Sequence, residues 1–217
     1  MTLMLPTFNT MHTVHQADRA LVEWLAPSEH DAIVAGGAAL RWYQGMPVDT
    51  ADIDIFFKTQ SGYASMFKKI QALQECDVIV SVFSPLPQKK QEVFAKLVFS
   101  TDSAETYEIH YKGVSTKVQL IKVKFFQDTH MLLNEFDISV CQVATDGHKW
   151  VVGEHFIQDL KDRKLRITHM NPVTLKRVMK YWTYGYTPSD ETINNIMNNT
   201  IVKWKLDNND NGDYNAF

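Results

Sequence analysis

The chain has 217 residues, 45% of them hydrophobic and 22% charged, an ordinary globular composition, with length for one domain plus a helical appendage. A formal net charge of −3 argues against a general polyanion binder. No apolar run approaches the ~20 residues that span a bilayer, and the N-terminal MTLMLPTFNTMHTVHQADRA lacks the charged-then-apolar pattern of a secretory leader. Cys76 and Cys141 lie in apolar surroundings and are expected to be reduced core residues, which points to a cytoplasmic location.

Along the chain, Leu21, Val22 and Leu25 recur at helical spacing within 14–26, and Pro27 ends the run. Residues 32–35 read as a short buried strand, 38–44 as a helix, 52–58 as a strand and 62–75 as a helix. DVIVSVF (77–83) is a strongly β-branched run, broken by Pro85 and Pro87. From 93 to 125 the period becomes two, with turn signals at Asp102-Ser103 and Lys112-Gly113, which predicts a strand meander. FDISVCQVATDG (136–147) mixes strand and turn character. Beyond 153 the pattern is helical; Pro172 marks one helix start, and Gly185 and Pro188 its end. The expected organisation is a head over 1–152, a helical extension over 153–206 and a disordered Asn/Asp-rich tail over 207–217. Asp207, Asn209, Asn211 and Gly212 fit the opening of a calcium loop, but no bidentate glutamate follows.

The segment AIVAGGAALRWYQGMPVDTADIDIFF (32–57) carries the chemistry. Asp52 and Asp54 stand one residue apart in an apolar strand, so the two-residue period sends both carboxylates to one face. Half-buried carboxylates need a partner, either a cation or a nearby Arg or Lys. Gly36-Gly37 makes a turn that opens a helix and lets the backbone approach phosphates. Hard oxygen ligands beside such a turn suit Mg²⁺ (or Mn²⁺) carrying a triphosphate, hence nucleotidyl transfer from an NTP such as ATP.

Gly-Gly, helix, then Asp-Ile-Asp-Ile resembles the head of polymerase-beta-like nucleotidyltransferases, most closely that of bacterial CCA-adding enzymes and poly(A) polymerases. Asp137 stands at the aspartate of that family's second signature. Asp159-Leu160, Arg166, Pro172 and Arg177 follow the order of its third. The resemblance implies an α/β (α+β) fold, a mixed sheet flanked by helices with a short C-terminal helical extension. It also implies an NTP substrate and an acceptor, preferably a tRNA-like RNA 3′ end, with a protein side chain or small molecule as alternatives. Glu135-Phe136 stand in place of two arginines, and Asn171 and Thr174 in place of an acid and an arginine that would read the incoming base. The planar, bidentate set for cytosine and adenine is therefore missing, which points to a divergent relative with another acceptor, or to a non-catalytic nucleotide- or RNA-binding protein of the same fold.

Further candidates surround this core. A third acid is expected on a neighbouring strand, where Gln119 stands, a neutral ligand, with Glu108 as the alternative. Arg41 follows the glycine turn and Lys58 shares the strand face of Asp54; both are candidates for phosphate charge. Arg166 and Arg177 belong to a basic segment, 161–180, that suits a nucleotide or RNA, or simply a solvated face. No His-x-x-x-His, Cys-pair, Gly-x-Ser-x-Gly or Walker pattern is present.

Overall fold

Seven strands form one mixed sheet. In chain order they are β1 (Ala32–Ala35), β2 (Ile53–Phe57), β3 (Val93–Ser100), β4 (Ala104–Tyr111), β5 (Val114–Ile121), β6 (Val143–Thr145) and β7 (Trp150–Val152). Across the sheet they run β3-β4-β5-β2-β1-β6-β7. Among the described residues of this sheet, β2 with β5 is the one parallel pairing. The computed structural model describes residues 14, 16–48, 52–83, 93–111 and 114–209, with the backbone alone for 16–17, 74–83 and 200–209. Contacts divide the chain into two units, residues 1–135 with 141–152, and residues 136–140 with 153–217.

In the first unit the sequence periods explain the layers. The unbroken apolar run of β1 is buried throughout, as a strand covered on both faces requires. β2 alternates: Ile53, Ile55 and Phe57 are fully buried, while Asp54 and Phe56 are half-buried. Ile53, Ile55, Phe57, Val118, Leu120, Tyr107 and Ile109 share one sheet face by register. That face forms the core with Trp42 of α2 (Gly37–Tyr43) and with Met66 and Ile70 of α3 (Gln60–Phe83). Asp54 lies on the opposite face.

The β-branched run 77–83 forms no strand, since α3 continues through it to Phe83. Val and Ile give up only a few tenths of a kcal/mol per residue in a helix, and β-propensity depends on having a sheet to join. A helix already propagating from Gln60 therefore carries through. The meander over 93–121 forms as expected. Asp18 of α1 (Gln16–Leu25), only 5% exposed, accepts hydrogen bonds from Trp42 Nε1 at 3.0 Å and from the Val48 amide at 2.9 Å. This carboxylate ties α1, α2 and the loop after α2 together. Cys141 is a buried thiol; the side chain of Cys76 lies outside those described.

The first unit also holds a short α4 (Thr129–Leu133), and the second contains α5 (Phe156–Asp162), α6 (Thr174–Thr183) and α7 (Asp190–Asn209). The second unit also holds a two-stranded parallel pair that the sequence pattern did not announce, β8 (Lys164–Leu165) with β9 (Thr187–Pro188). Pro188, expected only to end a helix, sits in this pair. Gly185 follows α6 with φ 84°, a conformation that favours glycine. Asp207 and Asn209, expected in a disordered tail, belong to α7; residues 210–217 lie outside the described residues.

Candidate active site

β2 brings its acids to a specific neighbourhood. The β2–β5 register pairs Asp54 with Gln119, and the β4–β5 register pairs Gln119 with Thr106. Paired residues in adjacent strands point to the same face at about 5 Å backbone spacing, so Thr106, Gln119 and Asp54 form one row. Gln119 Nε2 donates to Thr106 Oγ1 at 3.1 Å. On the other side, β1 pairs with β2 antiparallel, Val34 opposite Ile55. One further step sets Ala35 opposite Asp54, immediately before the glycine turn. Ala35 in turn pairs with Ala144, and both side chains are small and buried.

Asp52 precedes β2 by one residue and is exposed. The strand period places it on the face of Asp54, with their Cα atoms ~7 Å apart. Gly36 caps α2 with φ 75° and ψ −136°, a region that only glycine occupies readily. Its amide donates to the Val143 carbonyl at 3.1 Å, which fixes the turn against β6.

The remaining candidates separate. Glu108 pairs with Lys117 on β5 and with Lys96 on β3. Continued by one residue, the β2–β5 register sets Lys117 beside Asp52, so two strand spacings, about 10 Å, separate the backbones of Asp52 and Glu108. Glu108 accepts from Ser115 Oγ at 2.8 Å and lies 3.7 Å from His110 Nε2; it does not join the acid pair. Lys58 comes four residues after Asp54, ~13 Å along an extended chain, at the end of β2 away from the glycine turn. There it lines a small, open recess with Ile33, Thr129, Thr145, Asp146 and Lys149. Arg41 Nε donates to the Pro47 carbonyl and braces the loop after α2.

In the second unit, the motif residues bind one another. Asp137, 1% exposed, accepts from Arg177 Nη1 at 2.9 Å, Thr174 Oγ1 at 2.7 Å and Asn171 Nδ2 at 3.0 Å. Asp159, also 1% exposed, accepts from Ser139 Oγ at 2.7 Å and Arg166 Nε at 3.0 Å. The Asp159 carboxylate pushes the Arg166 guanidinium further up from its already high value. Each arginine thus spends donors on a buried carboxylate while keeping part of its surface exposed, 37% for Arg166 and 46% for Arg177.

Two residues near the acids escaped the sequence reading. Lys117 puts a cation beside Asp52, and Thr106 holds Gln119. The alternation of KVQLI set Lys117 and Gln119 on one face, but only the parallel register supplied the neighbouring strand. Among the described residues, no group of three or more His, Cys, Asp or Glu could hold a metal ion. Two carboxylates with a neutral amide oxygen nearby still match the donor set of Mg²⁺, which is commonly held by one or two carboxylates plus substrate phosphates and water.

The sheet and its flanking helices have the nucleotidyltransferase fold. A CCA-adding enzyme solved with CTP matches 96% of this chain and 49% of its own, with TM-score 0.62 and 16% identity. The Thermotoga maritima CCA-adding enzyme complexed with tRNA_CCA matches 79% of this chain and 38% of its own, with TM-score 0.52 and 15% identity. The Bacillus stearothermophilus CCA-adding enzyme in complex with CTP matches 82% and 42%, with TM-score 0.51 and 14% identity.

Within that fold the chain belongs to the Gabija anti-defense 2 family, whose model matches residues 7–163. The curated Gabija anti-defense 2 of Bacillus phage SPbetaL7 is 29% identical over 174 residues, covering 78% of this chain and 36% of the relative. The chain thus spans about a third of that relative's length. Among the described residues no helix is long and apolar enough to cross a membrane.

Proposed function

We propose that this chain is a metal-dependent nucleotidyltransferase of the cytoplasm. It moves a nucleoside monophosphate from an NTP to an acceptor and thereby counters the Gabija defence named in its family. The observation that carries the reading is the row in which Asp54 lies beside Gln119 on β5 and next to the residue that precedes the Gly36-Gly37 turn. In this reading Asp52 and Asp54 hold Mg²⁺ or Mn²⁺, which neutralises phosphate charge and lowers the pKa of the attacking group when bound. Gly36 and Gly37 let the chain come close to the β- and γ-phosphates, where the amides that open α2 are the donors because the Gly36 amide is taken by Val143, and Lys117 screens charge beside Asp52. No protein nucleophile is needed, because such transfers rest on positioning and charge stabilisation.

An RNA 3′ end is the preferred acceptor, contacted by the basic segment 161–180, where Lys161, Arg163, Lys164, Lys176 and Lys180 are exposed. A protein side chain or a small molecule of the defence system is the alternative. The test is incubation with each labelled NTP and total RNA and protein from cells carrying the defence, resolved on a gel. Wild type labels one band; Asp52→Ala with Asp54→Ala leaves the fold intact and the band unlabelled. Equal labelling by the double variant overturns the assignment.

A second reading, a non-catalytic nucleotide- or RNA-binding protein of this fold, is favoured by the neutral Gln119 where a third carboxylate would complete the site. Metal-independent nucleotide binding without pyrophosphate release against any acceptor pool distinguishes it.

A further inference from the structure

We propose that Gln119 is the third, neutral oxygen ligand of the acid-pair site and that Thr106 is the residue that aims it; this rests on the reading of Asp52 and Asp54 as ion ligands. Four observations converge. Gln119 is the residue that the parallel β2–β5 register sets beside Asp54, so their side chains rise from the same face at adjacent strand positions. The side chain is half-buried, and its Nε2 is committed to Thr106 Oγ1 at 3.1 Å on the strand beyond. The nitrogen and oxygen of a primary amide diverge from one carbon. With the nitrogen held by Thr106, the oxygen is the end of the amide left to serve as a ligand. Lastly, among the described residues Gln119 Oε1 has no hydrogen-bond partner, while Glu108, the other acid on this face, is separated from β2 by β5 and engaged by Ser115.

Thr106 is 9% exposed and held by the β4–β5 ladder, so its hydroxyl is a fixed acceptor. It acts through Gln119 and touches no substrate, which makes it a positioning residue. Without that hydroxyl the amide rotates freely and presents either end to the ion. The consequence for the site is electrostatic. Two carboxylates and an amide hold a divalent ion less tightly than three carboxylates, since affinity rises with ligand charge. The protein therefore binds the ion weakly until a polyphosphate supplies the missing negative oxygens, and ion and NTP arrive as one unit.

The test is Mn²⁺ titration of the full chain without nucleotide, followed by electron paramagnetic resonance, with circular dichroism to check folding. Thr106→Val and Gln119→Leu are each expected to weaken Mn²⁺ binding about tenfold, the lower end of what loss of an orienting partner costs. Thr106→Ser keeps the hydroxyl and wild-type affinity, and Gln119→Glu tightens binding by at least that factor. Unchanged affinity in Thr106→Val and in Gln119→Glu, with Asp54→Asn abolishing binding, overturns the role of Gln119 and Thr106 while the acid pair stands. Unchanged affinity in Asp54→Asn overturns the acid pair and this inference together.

Discussion

Arg177 donates from Nη1 to Asp137 Oδ1 at 2.9 Å, and the carboxylate it meets is only 1% exposed. Thr174 and Asn171 fill the other oxygen of the same carboxylate. Residues that depart from the family's base-reading pattern thus form a hydrogen-bonded lock around a buried charge. Removing the charge strands three donors, whereas removing the half-exposed arginine leaves two neutral donors in place. Asp137→Ala is expected to lower unfolding free energy by about 3 kcal/mol, the scale of breaking a buried ion pair. Arg177→Ala is expected to cost about 1 kcal/mol, because its exposed guanidinium is screened by water. Urea unfolding midpoints of the two variants check the order; equal midpoints would contradict a carboxylate-centred lock.

Asp52 and Asp54 present the opposite case. Asp52 is exposed and Asp54 half-buried, so neither supports the core through packing. Asparagine at both positions is expected to change stability by no more than about 0.5 kcal/mol, the usual surface range, while nucleotidyl transfer falls by at least ~100-fold, the scale of a lost electrostatic stabiliser. Melting temperature and label incorporation measured on the same sample separate the effects. A large drop in melting temperature would mark these acids as structural.

Gly62 in the first turns of α3 lies so close to the chain before β1 that an added Cβ would meet the His30 carbonyl oxygen at 2.3 Å. Because the obstacle is backbone, α3 or the Pro27–His30 turn must shift. Gly62→Ala is expected to destabilise by about 1–3 kcal/mol, in the range of overpacking, despite alanine's better helix propensity. A higher denaturation midpoint than wild type would show that the turn yields freely.

His30 gives the fold a pH dependence. Its Nδ1 lies 2.8 Å from Ser65 Oγ, and its buried Nε2 has no hydrogen-bond partner among the described residues. Burial, followed by the positive charge of Lys69, holds its pKa below the ordinary 6.5. A histidine with a lowered folded pKa is protonated first in the unfolded chain, so its contribution is fully present above about pH 6.5 and is lost as pH falls below that value. The melting temperature should therefore fall on going from pH 7.5 to 5.5, and His30→Asn should flatten that fall. An identical fall in the variant would assign the effect to other groups.

Lys69 caps α1 through the Trp24 and Leu25 carbonyls, and lies 5.0 Å from the centre of the Trp24 ring. Lys69→Met keeps the stem and removes the donor, with an expected loss of about 1 kcal/mol for the hydrogen bonds to terminal carbonyls. Chemical denaturation of that variant measures it.

The sequence alone determined the local elements whose signals are short-ranged. The buried run 32–35, the glycine turn, the alternation of β2 around Asp54 and the meander all depend on spacing along one strand or one turn. The two-residue period sets Asp54 on the face opposite Ile53 and Ile55, while Asp52 stands one residue before the strand. Tertiary structure decided what stands next to what. DVIVSVF became helix because α3 was already propagating and no strand partner was offered. The parallel register set Gln119, the first of the two candidates, beside Asp54 and left Glu108 one strand further away, and it placed Lys117 beside Asp52. Packing turned Arg166 and Arg177 onto two carboxylates that it had first removed from water. Pairings across a sheet and charges in a core are set by residues far apart in the chain, and a one-dimensional pattern carries no record of that distance.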